Sequence, residues 1–179
     1  MKTGTKSVLF GYHSWWLHPF FVAEAWRRLY GFPWSIKLWV AFFVHDLGYL
    51  GKPNMDGLEG KQHPFLGAAL MHYLFDLKPE AFEWHDFCLC HSRSLAKTYF
   101  KPFSSLCHAD KLAFCLYPDW LLKALYWLSG EGKEYMSNNY PGSVEDVTGK
   151  RFYDIGEWIH QGKVLNYIYL TKECPGWNK

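Results

Sequence analysis

Residues 35–51 read SIKLWVAFFVHDLGYLG, and this stretch decides the fold. From Ile36 to Val44 it is apolar almost all round and lacks the alternation of a half-buried strand. It therefore predicts a helix from about Ser35 to Asp46, buried at the centre of the molecule. His45 and Asp46 end that helix. The segment 48–62, GYLGKPNMDGLEGKQ, carries four glycines and a proline and predicts a loop. A histidine and a carboxylate are thus set at the end of an apolar helix, where an unpaired polar group costs roughly 2 to 7 kcal/mol. Something must compensate them.

The helical period recurs on both sides. Upstream, Pro19 to Tyr30 predicts a helix stopped by Gly31, with the stripe Val22, Ala25, Trp26 and Leu29 and with His18 one turn before it. Downstream, one helix carries Leu66, Ala69, Leu70, Tyr73 and Leu74, with His63 three residues before Leu66. The next carries Trp84, Phe87 and Cys88 and is completed by His91. A third carries Phe103, Leu106, Cys107 and Phe114, with Asp110 on the same stripe. A further apolar helix spans about 119–128, residues 131–150 predict a loop, and 151–171 a C-terminal helical segment with Ile155, Trp158, Ile159 and Leu165. There is no internal repeat. The expected fold is all-α: one domain over residues 1–179, with five core helices within about 15–130 and further helices at the C-terminal end.

Composition narrows the functional classes. With 179 residues, 49% of them hydrophobic, the chain can bury a core without disulfides. A formal charge of +2 with scattered basic residues argues against a nucleic-acid surface. Five cysteines without a C-x-x-C pair suggest neither a disulfide framework nor a zinc finger, and a reducing cytoplasm is expected. Cys88, Cys90 and Cys107 are expected in the core. The longest apolar run, Leu38 to Val44, is far short of a bilayer span, so no membrane partner is expected.

Six polar residues thus sit on apolar stripes: His18, His45, Asp46, His63, His91 and Asp110. A His-Asp dipeptide proves little alone, since His85-Asp86 is a second one; the surroundings discriminate. The pieces HPFFVAEA (18–25), VHDLGYLG (44–51), HPFLGAAL (63–70), HSRS (91–94) and HADKLA (108–113) follow one another in order. Together they resemble the HD-domain superfamily of metal-dependent phosphohydrolases, over His18 to about Leu112. The resemblance implies an all-α fold with the site at its centre. Members with two further histidines between the HD pair and the last Asp hold two metals, and His63 and His91 fill those positions. The implied assignment gives one ion to His18, His45, Asp46 and Asp110, and a second to His63, His91 and a bridging Asp46, with Asp46 and Asp110 as the catalytic carboxylates. Imidazole and carboxylate donors without thiolate suit two divalent transition-metal ions, Fe or Mn first, with Zn, Co or Ni also accommodated. Such a pair, about 3.5 to 4 Å apart, would activate a shared hydroxide for in-line displacement at phosphorus.

The expected substrate is a small phosphorylated molecule, a nucleotide or dinucleotide. Arg93, Lys111 and Lys52 lie near enough in sequence to the ligands to meet phosphate charge. Trp15, Trp16, Tyr49 and Phe65 are candidates to stack a base, and core packing explains them equally. One departure bears on mechanism. Several one-metal relatives carry a Glu shortly after the HD pair, whereas here no acid follows until Asp56, and Asp56 or Glu59 reaches the site only if the loop folds back. Two other functions stay open: a mixed-valent di-iron oxygenase built on the same ligand set, and a catalytically silent nucleotide-sensing module. His13 competes with His18 for the first ligand position, and the H-x(3)-V-A spacing favours His18. His72, His85, His108 and His160 are read as structural or surface residues, with His72 and His108 near enough to support a ligand from behind.

Overall fold

Ten α-helices account for most of the described residues, which are 1–78, 80–137 and 147–175 of this computed structural model, and no strand occurs among them. In chain order they are α1 (Thr3–Phe10), α2 (His18–Tyr30), α3 (Ile36–Val44), α4 (Pro64–Phe75), α5 (Glu83–Leu89), α6 (Arg93–Thr98), α7 (Ser105–Leu116), α8 (Asp119–Ser129), α9 (Glu131–Ser137) and α10 (Ile155–Glu173). Two 3-10 turns, Leu47–Tyr49 and Gly60–Gln62, flank the loop after the HD pair. The fold is all-α, as the periodicity implies.

The ends are set by local chemistry. Pro19 occupies the first turn of α2, where its missing N–H costs nothing, and Gly31 ends the helix at φ 88°. The hydroxyls of Ser35 and Ser104 accept the backbone N–H of Lys37 and Cys107, and the Asp154 carboxylate accepts that of Glu157, so α3, α7 and α10 each begin on a side-chain cap worth about 1 kcal/mol. Asp76 does the same at a distance: its two oxygens accept the N–H groups of Trp84 and His85 in the first turn of α5, both at 3.0 Å.

The centre of the molecule is α7. Leu106, Cys107, Ala109, Leu112 and Ala113 are fully buried, with α2 packed on one side and α10 on another. Two apolar clusters meet along it. The first joins α7 to α2, α3, α4 and α5 through residues such as Val22, Phe42, Met71 and Cys88; the second joins Phe114 and Tyr117 to Val8, Tyr49, Met55, Leu122, Trp158 and Ile159. The first contains Cys88 and Cys90, and Cys107 is fully buried, matching the expectation for these thiols.

Three expectations are corrected. First, α3 is not the fully buried helix: only Ala41 and Phe42 are buried, and Ile36 is 70% exposed. It is a nine-residue helix packed mainly against α2 and α4, and its outer side is exposed. Second, α4 buries Pro64, Gly67, Ala68 and Met71, while Leu66, Tyr73 and Leu74 face out. Small residues decide this face: a Cβ at Gly67 would lie 2.7 Å from the Val44 carbonyl oxygen and 2.9 Å from the His45 Cα, so α4 can approach the end of α3 only through a glycine. Met71→Ala is therefore expected to cost about 2 to 5 kcal/mol in urea unfolding, and Leu74→Ala within about 0.5 kcal/mol of zero. The reverse order would restore the Leu66–Leu74 stripe. Third, residues 131–137, read as the start of a loop, form α9, and Thr3–Phe10 and Arg93–Thr98 are helices that the periodicity did not reveal. Residues 138–146 of the expected loop lie outside the described residues. Among the described residues no helix is long and apolar enough to cross a membrane.

Candidate metal centre

Four elements end at one place, and α7 passes through it. His18 is the first residue of α2, His45 caps the C-terminus of α3 with Asp46 immediately after it, His63 immediately precedes α4, and His91 follows α5. Asp110 comes from the middle of α7. All six are buried. Gly48 ties two of these ends together, because a Cβ there would sit 1.9 Å from the His63 carbonyl oxygen; the turn after the HD pair lies directly on the backbone of the next histidine.

Three of the histidines are oriented by one local device. The Nδ1 of His45 donates to the Phe42 carbonyl at 3.0 Å, that of His63 to the Gly60 carbonyl at 2.9 Å, and that of His91 to the Cys88 carbonyl, in each case three residues back at the end of a helical segment. A carbonyl oxygen can only accept, so the Nδ1 atoms carry the hydrogens, and the Nε2 of a neutral ring presents a lone pair. Those lone pairs converge. Nε2 of His63 and His91 are 3.1 Å apart, and each is 3.4 Å from Asp46 Oδ1. The other carboxylate oxygen, Oδ2, is 3.1 Å from His45 Nε2 and 3.5 Å from His18 Nε2, which is itself 3.2 Å from Asp110 Oδ1.

These spacings form two groups that share Asp46: His18, His45, Asp46 and Asp110, and Asp46, His63 and His91. Within each, one donor atom per residue lies within 4.8 Å of every other. Proximity here is not hydrogen bonding. Both ring nitrogens of His18, Nε2 of His45 and Oδ2 of Asp46 are buried and have no partner of hydrogen-bond geometry. A natural structure leaves few such atoms, and three of them, Nε2 of His18, Nε2 of His45 and Oδ2 of Asp46, converge on one point that suits a cation. The distances agree: ligands about 2.1 Å from a common transition-metal ion, at angles between 90° and the tetrahedral value, lie about 3.0 to 3.4 Å from one another. These residues fit a metal ion in chemistry and in spacing.

The electrostatics favour the ligand form at His18, His63, Asp46 and Asp110, whereas at His45 burial is outweighed by the Asp46 carboxylate, which raises the imidazole pKa. Burial pushes the His63 and His18 imidazoles below their usual pKa, His63 strongly, favouring the neutral ring. Burial raises the carboxyls of Asp46 and Asp110, but it is outweighed by the His45 and His13 charges around Asp46 and by Lys111 beside Asp110, so both lie well below the usual carboxylate range. Lys111 Nζ donates to Asp110 Oδ2 at 2.7 Å.

No family model, no curated protein and no solved structure matches the chain. The site therefore rests on its own geometry.

The donor groups open into a cavity of about 570 Å³, large enough for a small organic molecule. Its wall includes Arg93, Lys97, Lys111 and Lys172, with Ser92 and Ser94. Arg93 is braced with its guanidinium 5.1 Å from the centre of the Tyr169 ring, and Arg93, Lys97 and Lys172 have no acidic partner among the described residues. Lys52, the third cation singled out in the sequence, does not line this cavity; it lies in the loop, where its carbonyl accepts the N–H of Gly4. The loop does fold back. Met55 is buried in the second cluster, the N–H groups of Met55 and Asp56 donate to Glu134 at 2.7 and 3.0 Å, and Asp56 borders the cavity, while Glu59 pairs with Asn54 on the surface.

Tyr49 stacks on His63 with ring centres 3.9 Å apart and so holds a donor in place. Trp15, Trp16 and Phe65 are 50%, 49% and 39% exposed and line neither cavity at the site. The remaining histidines have partners elsewhere: His72 with Asp76, His85 with Asp86, and His108 with Tyr30, while His160 is exposed. His13 is in neither donor group. Its Nδ1 is bonded to Ser7 and to Glu131, a buried carboxylate that no sequence pattern marked. Of the α10 residues of the cavity wall, Leu165 was read only as an apolar packing residue, and Asn166, Ile168, Tyr169 and Lys172 were unmarked, since a binding face on a terminal helix has no period of its own.

Proposed function

We propose that the protein is an HD-type, metal-dependent phosphohydrolase acting on a small phosphorylated substrate, with a nucleotide as the preferred class. The observation that carries this reading is the division of Asp46: one oxygen faces His18 and His45, the other faces His63 and His91. A carboxylate shared in this way suits two cations, held by the residues that the HD resemblance assigns. When bound, two such ions supply Lewis acidity and a nucleophilic oxygen at neutral pH.

The chain's own residues supply the rest. Arg93, Lys97 and Lys172 form a cationic wall facing the donor groups, suited to phosphate oxygens, and Arg93 is pre-oriented by Tyr169. Lys111 is engaged by Asp110 and acts by holding that carboxylate ionised. A second cavity of about 210 Å³ shares His13, Arg93 and Lys111 with the first and is walled by Tyr126, Tyr135, Trp158 and Asn166, a lining suited to a planar ring with one amide to read its edge. A phosphate at the donor groups and a base in this recess account for both spaces.

The test is phosphate release from nucleoside monophosphates and simple phosphoesters under nitrogen. Release that is lost with chelator and restored by Mn²⁺ or Fe²⁺ is expected. No release with any metal, or turnover only in the presence of oxygen, would overturn the reading, the latter in favour of di-iron oxygen chemistry.

A further inference from the structure

Glu131 is an expensive residue to place where it is. It is the first residue of α9, and its side chain is fully buried and carries a carboxylate. Two of its partners, Tyr12 and His13, come from far away in the sequence, and Tyr135 from its own helix. Oε1 accepts the N–H of Tyr12 at 3.0 Å; Oε2 lies 3.1 Å from His13 Nδ1 and 3.3 Å from the Tyr135 hydroxyl. Ser7 Oγ is 2.9 Å from the same His13 nitrogen. The carboxylate thus grips one edge of one imidazole.

The same imidazole lies beside the site. His13 borders both cavities, its side chain is only 12% exposed, and its Nε2 has no partner among the described residues. The ring is fixed between Tyr12, with centres 4.6 Å apart, and Tyr49, 4.9 Å away, and Tyr49 is the residue stacked on His63. His13 also lies 5.9 Å, centre to centre, from His18. A histidine held at Nδ1 by a buried carboxylate has its tautomer and orientation set, and its imidazolium is stabilised; the free Nε2 is then positioned to exchange a proton with whatever occupies the cavity.

We propose that His13 donates the Nε2 proton to the leaving-group oxygen as the phosphoester bond breaks, with Glu131 as its positioning residue. This inference rests on the phosphohydrolase reading above. In the step, the oxygen of a water forms a bond to phosphorus, and the bond between phosphorus and the ester oxygen breaks with its electron pair going to that oxygen. The ester oxygen takes the His13 proton and departs as an alcohol. The proton released by the attacking water goes to solvent, and His13 is reprotonated from solvent. Nothing is oxidised or reduced.

The test varies the leaving group. Metal-loaded wild-type protein, His13→Gln and Glu131→Gln are compared on an alkyl phosphate such as a nucleoside 5′-monophosphate and on 4-nitrophenyl phosphate, whose leaving group departs without a proton. His13→Gln is expected to lose about 10² to 10⁴-fold on the alkyl ester and less than about tenfold on the aryl ester, with metal content unchanged. Glu131→Gln, which keeps a hydrogen-bond acceptor but not the charge, is expected to show the same selectivity with a smaller loss. Equal losses on both esters, no loss on the alkyl ester, or loss of metal from His13→Gln would each overturn the proposal. Should Glu131→Gln not fold, His13→Gln alone decides. A wild-type protein inactive on both esters would instead defeat the phosphohydrolase reading itself.

Discussion

Asp46→Ala is expected to release metal from both donor groups and to abolish phosphate release, a fall of more than about 10³-fold, since even one lost stabilising donor costs about 10² to 10³. The reason is positional. Oδ1 and Oδ2 of Asp46 face different pairs of histidines, and no other protein group belongs to both sets. His91→Ala removes a donor from one set only and is expected to weaken one ion while the other stays. Elemental analysis of the two variants beside the wild type checks this, and unchanged metal content in Asp46→Ala would contradict the shared-ligand geometry. The fold itself should survive in Asp46→Ala, because the substitution removes a buried charge along with the cations it compensates.

Metal removal is expected to have the second large effect, on stability. Without a cation, two buried carboxylates and the Nε2 atoms of four histidines face one another within 3.1 to 3.5 Å, several of them with no hydrogen-bond partner. A ligand that binds only the folded state stabilises it by about 4 kcal/mol at a thousand times its Kd. For a chain of this size each kcal/mol moves Tm by about 2 to 4 °C, so saturating metal should raise Tm by roughly 8 to 16 °C over the chelated protein. Thermal unfolding followed by circular dichroism with and without added Mn²⁺ measures it. A Tm indifferent to metal would mean that the six residues hold no ion.

The donor residues were legible in the sequence because each sits at a position where a polar group is anomalous. A histidine at the end of an apolar run, or an aspartate inside the stripe of α7, has no reason to be buried except a partner, and helical spacing placed all six on inward faces. The packing of α4 was not legible. Leu66 and Leu74 outrank Gly67 and Ala68 on any hydrophobic scale, yet the helix turns its small residues inward because close approach to His45 matters more than apolar area. Glu131 was hidden for a different reason. Its partners Tyr12 and His13 lie 119 and 118 residues away, and a pairing of that range leaves no periodic trace in either segment. The cationic wall was partly visible: Arg93 follows His91 closely, whereas Lys172 reaches the cavity only because α10 packs back on α7.

The most direct test of the central claim is the metal content of the protein purified without chelator, after incubation with Fe²⁺ or Mn²⁺ and removal of unbound ion. The geometry of the two groups around Asp46 predicts about two transition-metal ions per chain. A protein that retains essentially none, under either metal and also with Zn²⁺, would contradict it.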